Sequence, residues 1–143
     1  MKTFQDYGPF LGRLLLALIF VLSGVNKIQD FDGTQEYMAA HGMSMTATLL
    51  IAAIAIEILA GLSVLLGLAT RWSALLLAAY LIPVTLVFHA FWAVDAAQQQ
   101  IQMVHFLKNL AIMGGLVSVS AQTHAVRIRT RQRRAFSKHA EGH

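Results

Sequence analysis

Residues 46–68 read TATLLIAAIAIEILAGLSVLLGL, a run whose single ionisable group is Glu57. At 1.5 Å of rise per residue, a helix of that length covers about 34 Å, enough to cross roughly 30 Å of hydrocarbon. A helix buried in a water-soluble bundle would carry a polar stripe at helical spacing, yet Leu49 to Ile56 is apolar on every side. Three more runs of the same kind lie at about 8–28, 72–92 and 101–121. The expected fold is therefore all-α: a four-transmembrane-helix bundle, an integral membrane protein.

Composition agrees. Of 143 residues, 57% are hydrophobic and 13% charged, against about 25% charged in an average soluble domain. The formal charge of +4 gathers at one end, in Arg127, Arg129, Arg131, Arg133, Arg134 and Lys138, so the body of the chain is nearly neutral. There is no cysteine, which excludes a disulfide framework, a thiolate metal site and thiol redox activity of the chain's own. Any electron chemistry requires a bound cofactor or a partner. The apolar run Leu14–Leu22 follows Lys2 and Arg13 as a signal peptide would, but Ser23-Gly24-Val25-Asn26-Lys27 offers no small-x-small cleavage site. It is read as a retained span.

The links between spans set the topology. Ala69, Thr70 and Arg71 join the second and third spans, whereas 29–45 forms a longer link carrying Asp30, Asp32 and Glu36. With four spans both termini share a side, and Lys2, Arg71 and the basic tail then fall together, which the positive-inside rule makes cytoplasmic. The expected organisation is a four-helix transmembrane domain over 1–121 and a basic cytoplasmic tail over 122–143, with Trp72 and Trp92 bracketing the third span as interfacial anchors. In the outer link, Thr34 to Ala40 suits two helical turns, with Asp32 or Thr34 as N-cap and Gly42 as the stop. The plain reading is a short surface helix with Tyr37 and Met38 resting on the bundle's mouth; the functional one is a lid.

Ionisable groups inside a span cost roughly 2.5 to 3.5 kcal/mol each at the helix centre, so each requires a partner, water or a function. Lys27 falls at the outer rim, His89 and His105 about 6 Å in, Lys108 and Asn109 about 10 to 12 Å in, and Glu57 near the midplane. His105, Lys108 and Asn109 share one helix face. So do Ala53, Glu57 and Gly61, where small neighbours allow close helix approach, and Phe20, Ser23, Gly24 and Lys27 form a third stripe. A Glu57–Lys108 ion pair is the simplest expectation, and Pro83 predicts a bend in the third helix. The candidate ligand-binding residues are Lys27, Glu57, His89, His105, Lys108 and Asn109; no residue is singled out as catalytic. Each has a structural alternative as a packing device or polar helix end, and Arg13 is read as snorkelling to the inner surface.

No metal site is expected from His89, His105 and Glu57, because no HxxxH or ExxH spacing links them and a nearby lysine opposes a cation. The basic tail suits anionic lipid or topology better than nucleic acid, and no phosphate loop, nucleophile elbow or dinucleotide fingerprint is present.

Taken together, Arg13 with Phe20, Ser23, Gly24 and Lys27; Glu57-Ile58-Leu59-Ala60-Gly61 with Leu66-Gly67; His89-Ala90-Phe91-Trp92; and Gln102 to Asn109 with Gly114-Gly115 resemble the DoxX family of small bacterial membrane proteins. The similarity runs from about Gly12 to Leu116. The family's name comes from relatives of the membrane subunit of thiosulfate:quinone oxidoreductase, and its members accompany redox, stress and metal-handling proteins. The resemblance implies a four-helix inner-membrane bundle. A comparable architecture occurs in quinone-coupled thiol oxidoreductases, whose cysteine pairs are missing here, so that activity does not carry over.

Three readings of function follow. In the first the chain is an accessory subunit of a redox or stress-response system, with a non-covalently bound quinone headgroup in the outer half of the bundle. His89 or His105 and Lys108 then donate hydrogen bonds to its carbonyls and Glu57 handles protons. In the second it is a non-enzymatic scaffold or assembly factor whose polar cluster locks the helices. The third, a small-solute carrier, has little room for alternating access in four short helices. Membrane lipids and a redox or periplasmic partner protein are the expected partners, with a homo-oligomer left open.

Overall fold

The structure, a computed structural model, describes the backbone of residues 2–140 and the side chains of residues 7–122. Lys2 and the basic residues of the tail, on which the topology expectation rests, lie outside the described side chains. Six α-helices follow one another: α1 (Lys2–Gln29), α2 (Phe31–Ala40), α3 (Thr46–Ala55), α4 (Gly61–Leu66), α5 (Thr70–Phe88) and α6 (Ala96–Ala140), with a π-helical turn over Ile56–Ala60 joining α3 to α4. Four segments are long and apolar enough to cross a membrane: Tyr7–Gln29, Thr46–Leu66, Thr70–Phe88 and Ala96–Gln122. The protein is a four-helix transmembrane bundle, and no strand occurs among the described residues.

Local chemistry explains where the helices stop. Gly42 and Gly67 both adopt a φ of 77°, the left-handed conformation that glycine tolerates at a helix end. Each builds the same pair of closing bonds. Gly42 N–H donates to Ala39 O (2.9 Å) and Met43 N–H to Met38 O (3.2 Å), while Gly67 N–H donates to Val64 O (3.3 Å) and Leu68 N–H to Ser63 O (2.9 Å). Asp95 caps α6, its carboxylate accepting from Gln98 N–H at 3.0 Å.

Three boundaries depart from the sequence reading. The helix in the outer link begins at Phe31 with Asp30 at its N-cap, not at Asp32 or Thr34, because Asp30 O accepts both Thr34 N–H (3.0 Å) and Thr34 Oγ1–H (2.6 Å). The third span ends at Phe88 and not at Trp92. Residues 89–95 form a loop in which Trp92, still exposed, packs edge-on against Phe91 (centroids 5.0 Å) and Phe106 (5.8 Å); a reading by apolar composition alone counts this loop as span. The fourth span accordingly starts at Ala96.

The spans pack as a ring in chain order, α1 against the second span, the second against α5, α5 against α6, and α6 back on α1. The core is Phe20, Ala60, Val64, Ala74, Leu77, Ala78, Leu81 and Leu116, drawn from all four spans. Gly61 lets α1 approach closely: a Cβ there would stand 3.1 Å from Val21 Cγ2. Leu15, Ile51, Leu59, Ile82 and Leu110 remain exposed on the outside, as suits a surface facing lipid.

Candidate functional site

The π turn places Glu57. One extra residue per turn rotates everything beyond it by about 100° relative to an unbroken α-helix. The apolar faces of α3 and α4 can then both meet neighbours while Glu57 and Ala60 turn inward and are buried. Opposite it, α1 comes close because residue 24 is glycine: a Cβ would lie 2.7 Å from Ile58 Cγ1 and 3.4 Å from Glu57 Cβ. One turn along, Lys27 Nζ donates to both Glu57 oxygens at 3.0 Å and to Ser23 Oγ at 2.6 Å. From α5, Tyr80 O–H donates to Glu57 Oε1 at 2.9 Å.

Glu57 therefore pairs with Lys27, and the expected Glu57–Lys108 pair is corrected. Glu57 is 4% exposed, deep enough that its charge needs these donors. Lys108 is exposed, and its ammonium lies 3.4 Å from His105 Nδ1 on its own helix. Asn109, the next residue, turns into the bundle and donates through Nδ2 to Thr85 Oγ1 at 3.0 Å; both side chains are buried. His89, the first residue past α5, donates through Nδ1 to Gln102 Oε1 at 2.9 Å, and its ring lies 5.1 Å from that of His105.

These groups border a cavity of about 620 Å³ in the outer half of the bundle. Phe20, Leu50, Ile56, Leu81 and Ile112 form apolar walls, with the Lys27–Glu57–Tyr80 network at one side and Asn109, Lys108 and His89 at another. Of the six candidates only His105 does not line it. Thr34, Tyr37, Met38 and Met43 border it from the outer link. There Tyr37 stacks on Phe88 (centroids 5.4 Å) and His41 meets Phe88 edge-on (5.1 Å), while the His41 imidazole N–H donates to Tyr37 O at 2.8 Å. Tyr80 and Thr85 escape sequence reasoning because hydroxyls in an apolar helix give no periodic signal; only facing partners reveal them. Arg13 stands elsewhere, its guanidinium beside Gly67 at the inner end of α4. Among the described residues no three His, Asp or Glu side chains converge as metal ligands would.

The family model of DoxX matches residues 8–90 of the chain. The chain belongs to the DoxX family. Lys27, Glu57, Tyr80 and His89 fall within the matched residues, whereas the face of α6 bearing His105, Lys108 and Asn109 lies beyond them. Among curated relatives, the inner membrane protein YqjF of Escherichia coli (strain K12) is 33% identical over 117 residues, 82% of this chain and 85% of the relative. The inner membrane protein YphA of the same organism is 32% identical over 107 residues, 75% of this chain and 76% of the relative. CatD of Bacillus subtilis (strain 168), named as a candidate oxidoreductase, is 36% identical over 81 residues, 57% of this chain and 58% of the relative. No solved structure matches the chain significantly.

Proposed function

We propose that this DoxX-family protein resides in the bacterial inner membrane, both termini cytoplasmic, and serves a redox or stress-response system as an accessory subunit that holds a quinone-like headgroup in its outer-half cavity. One observation carries the reading: an apolar cavity of about 620 Å³, within the usual 300–1,000 Å³ of small-molecule sites, is edged by a few convergent polar groups. The residues suit the ligand. A quinone ring needs flat apolar walls, supplied by Phe20, Leu50 and Ile112, and donors for two carbonyls, available from the second Nδ2–H of Asn109 and from the Lys108 ammonium. A bound quinone would supply two-electron chemistry coupled to proton uptake. Glu57, held between an ammonium and a phenol, is placed to hold or pass a proton at Oε1, and His89 lies toward the outer surface where that proton would be exchanged. The naming of CatD as a candidate oxidoreductase and of YqjF and YphA as inner membrane proteins supports the redox and membrane parts of the reading.

The test is chemical. Protein purified in mild detergent should retain quinone at near-stoichiometric level in mass spectra of its lipid extract, and Asn109→Leu, which removes a donor without touching the ion pair, should retain several-fold less. An extract with no quinone enriched above bulk membrane lipid overturns the proposal. A second reading has an observation of its own. Lys27–Glu57 and Asn109–Thr85 each tie two spans together, which is what a scaffold with a purely structural polar lock would show.

A further inference from the structure

The backbones of the second and third spans stand farther apart in their outer halves than in their inner halves. The second span meets α5 through α4 and the π turn, but no Cα of α3 comes within 8 Å of one in α5. The parting begins at Ile56–Ala60, where the π turn redirects the second helix. Across from it, α5 carries Pro83, the other common cause of a kink. Leu49 and Ala52 on one side and Pro83, Val84 and Val87 on the other border the cavity, and all but Val84 are exposed. The gap is therefore an opening from the cavity into the hydrocarbon layer with purely apolar edges.

Other routes differ in chemistry. Outward, α2 lies over the cavity, closed onto the end of α5 by the Tyr37–Phe88–His41 ring cluster and onto α3 by Thr46 Oγ1–H donating to Gln35 Oε1 at 3.3 Å. At the seam between α1 and α6 the helices meet, and the exposed cavity residues there include Asn26 and Lys108. A hydrocarbon chain placed along either would face polar groups, and burying an unpaired polar group against it is costly.

We infer that the gap between α3 and α5 is a lateral window through which a single hydrocarbon chain passes, so that the ligand of this site is a membrane-dissolved amphiphile that enters from the outer leaflet headgroup first. The inference deepens the quinone-site proposal and rests on it. It fixes the class further, to ligands with a small hydrogen-bonding head and a long unbranched or isoprenoid tail, which bind more tightly than water-soluble solutes of the same ring. The window residues touch the tail; the head meets Asn109 and Lys108.

Two ligands separate the two claims: a tail-free dimethoxy-methyl-benzoquinone, and the same ring bearing a decyl chain. Affinities for wild type, Ala52→Phe and Val84→Phe are measured by fluorescence quenching in lipid nanodiscs. Each substitution narrows one edge of the window, and should weaken the decyl compound by about tenfold or more, the loss of a few methylenes' burial, while leaving the tail-free ring within about twofold. Equal decyl affinity in all three proteins overturns the window, as does an equal loss of both ligands, which means that the substitutions reached the headgroup site. If wild type binds neither compound, the quinone reading fails first and the window falls with it.

Discussion

The Cα–Cβ bond of a helical residue tilts toward its helix's N-terminus, and here that tilt decides which cation meets Glu57. α1 begins at the inner end of the bundle, so Lys27, though near the outer end of its helix, leans toward the midplane. The second span and α6 begin at the outer end, so Glu57 leans outward to meet Lys27, while Lys108 leans outward, away from the midplane and back onto His105 (3.4 Å). The pair should be energetically coupled. Glu57→Gln and Lys27→Met should each destabilise the protein in detergent by on the order of 3 kcal/mol, because each strands a buried charge or donor set. The double variant should lose clearly less than the sum. Additive losses would show that the two charges do not sense each other, and Lys108→Met should cost much less than Lys27→Met. From the sequence, depth alone ranks the cations, which puts Lys108 nearest Glu57 and Lys27 at the rim; the direction of the side chain, which reverses that order, depends on which way each helix runs. Asn109 was legible, since its spacing from His105 and its depth both point inward. Tyr80 was not, because a single tyrosine in an apolar run has no partner visible along its own helix.

At the scale of elements, the α1–second-span seam is set by missing side chains on both sides, Gly24 facing Ile58 and Gly61 facing Val21. An alanine at Gly24 forces Ile58 aside, since Ile58 Cγ1 is 2.7 Å from the added methyl position. Gly24→Ala should cost about 1–3 kcal/mol by overpacking, and Gly24→Ala with Ile58→Ala should recover part of it, measured by thermal unfolding in detergent. If the double variant is less stable than either single one, the contact is not what limits the approach. The length and apolar character of the four spans, the Gly42 stop and the small-residue seam could all be read from residue order. The π turn could not, for Ile56-Glu57-Ile58-Leu59-Ala60 contains no glycine or proline to mark it, and its register comes from the helices packed on both faces. The early end of α5 was hidden by apolar Ala90, Phe91 and Trp92, which pack in a loop instead of continuing the helix.

For the whole molecule, charge and cavity point the same way. Arg71 lies at the end opposite the cavity, its guanidinium over the Trp72 ring at 5.2 Å, and the basic tail extends the chain from that same end. On the proposed topology, in which both termini are cytoplasmic, α2 and the cavity's outer cap face the periplasm. With no native cysteine to interfere, a membrane-impermeant thiol reagent should label Gln35→Cys and spare Ser137→Cys in intact cells; the reverse pattern would invert the topology. Loss of the acidic partner should matter to the ligand as well as to the fold, since Glu57 holds both Lys27 and Tyr80 in place. The most direct test of the proposed site is an equilibrium titration of a Trp72→Phe protein, in which Trp92, three residues past His89, is the remaining tryptophan. A short-chain quinone should quench its fluorescence saturably, and Glu57→Gln should weaken binding by about tenfold, as expected when a charge-assisted network of donors is disordered. Linear, unsaturable quenching that is the same with and without the Glu57 carboxylate would contradict the site and leave the polar cluster as a lock between helices.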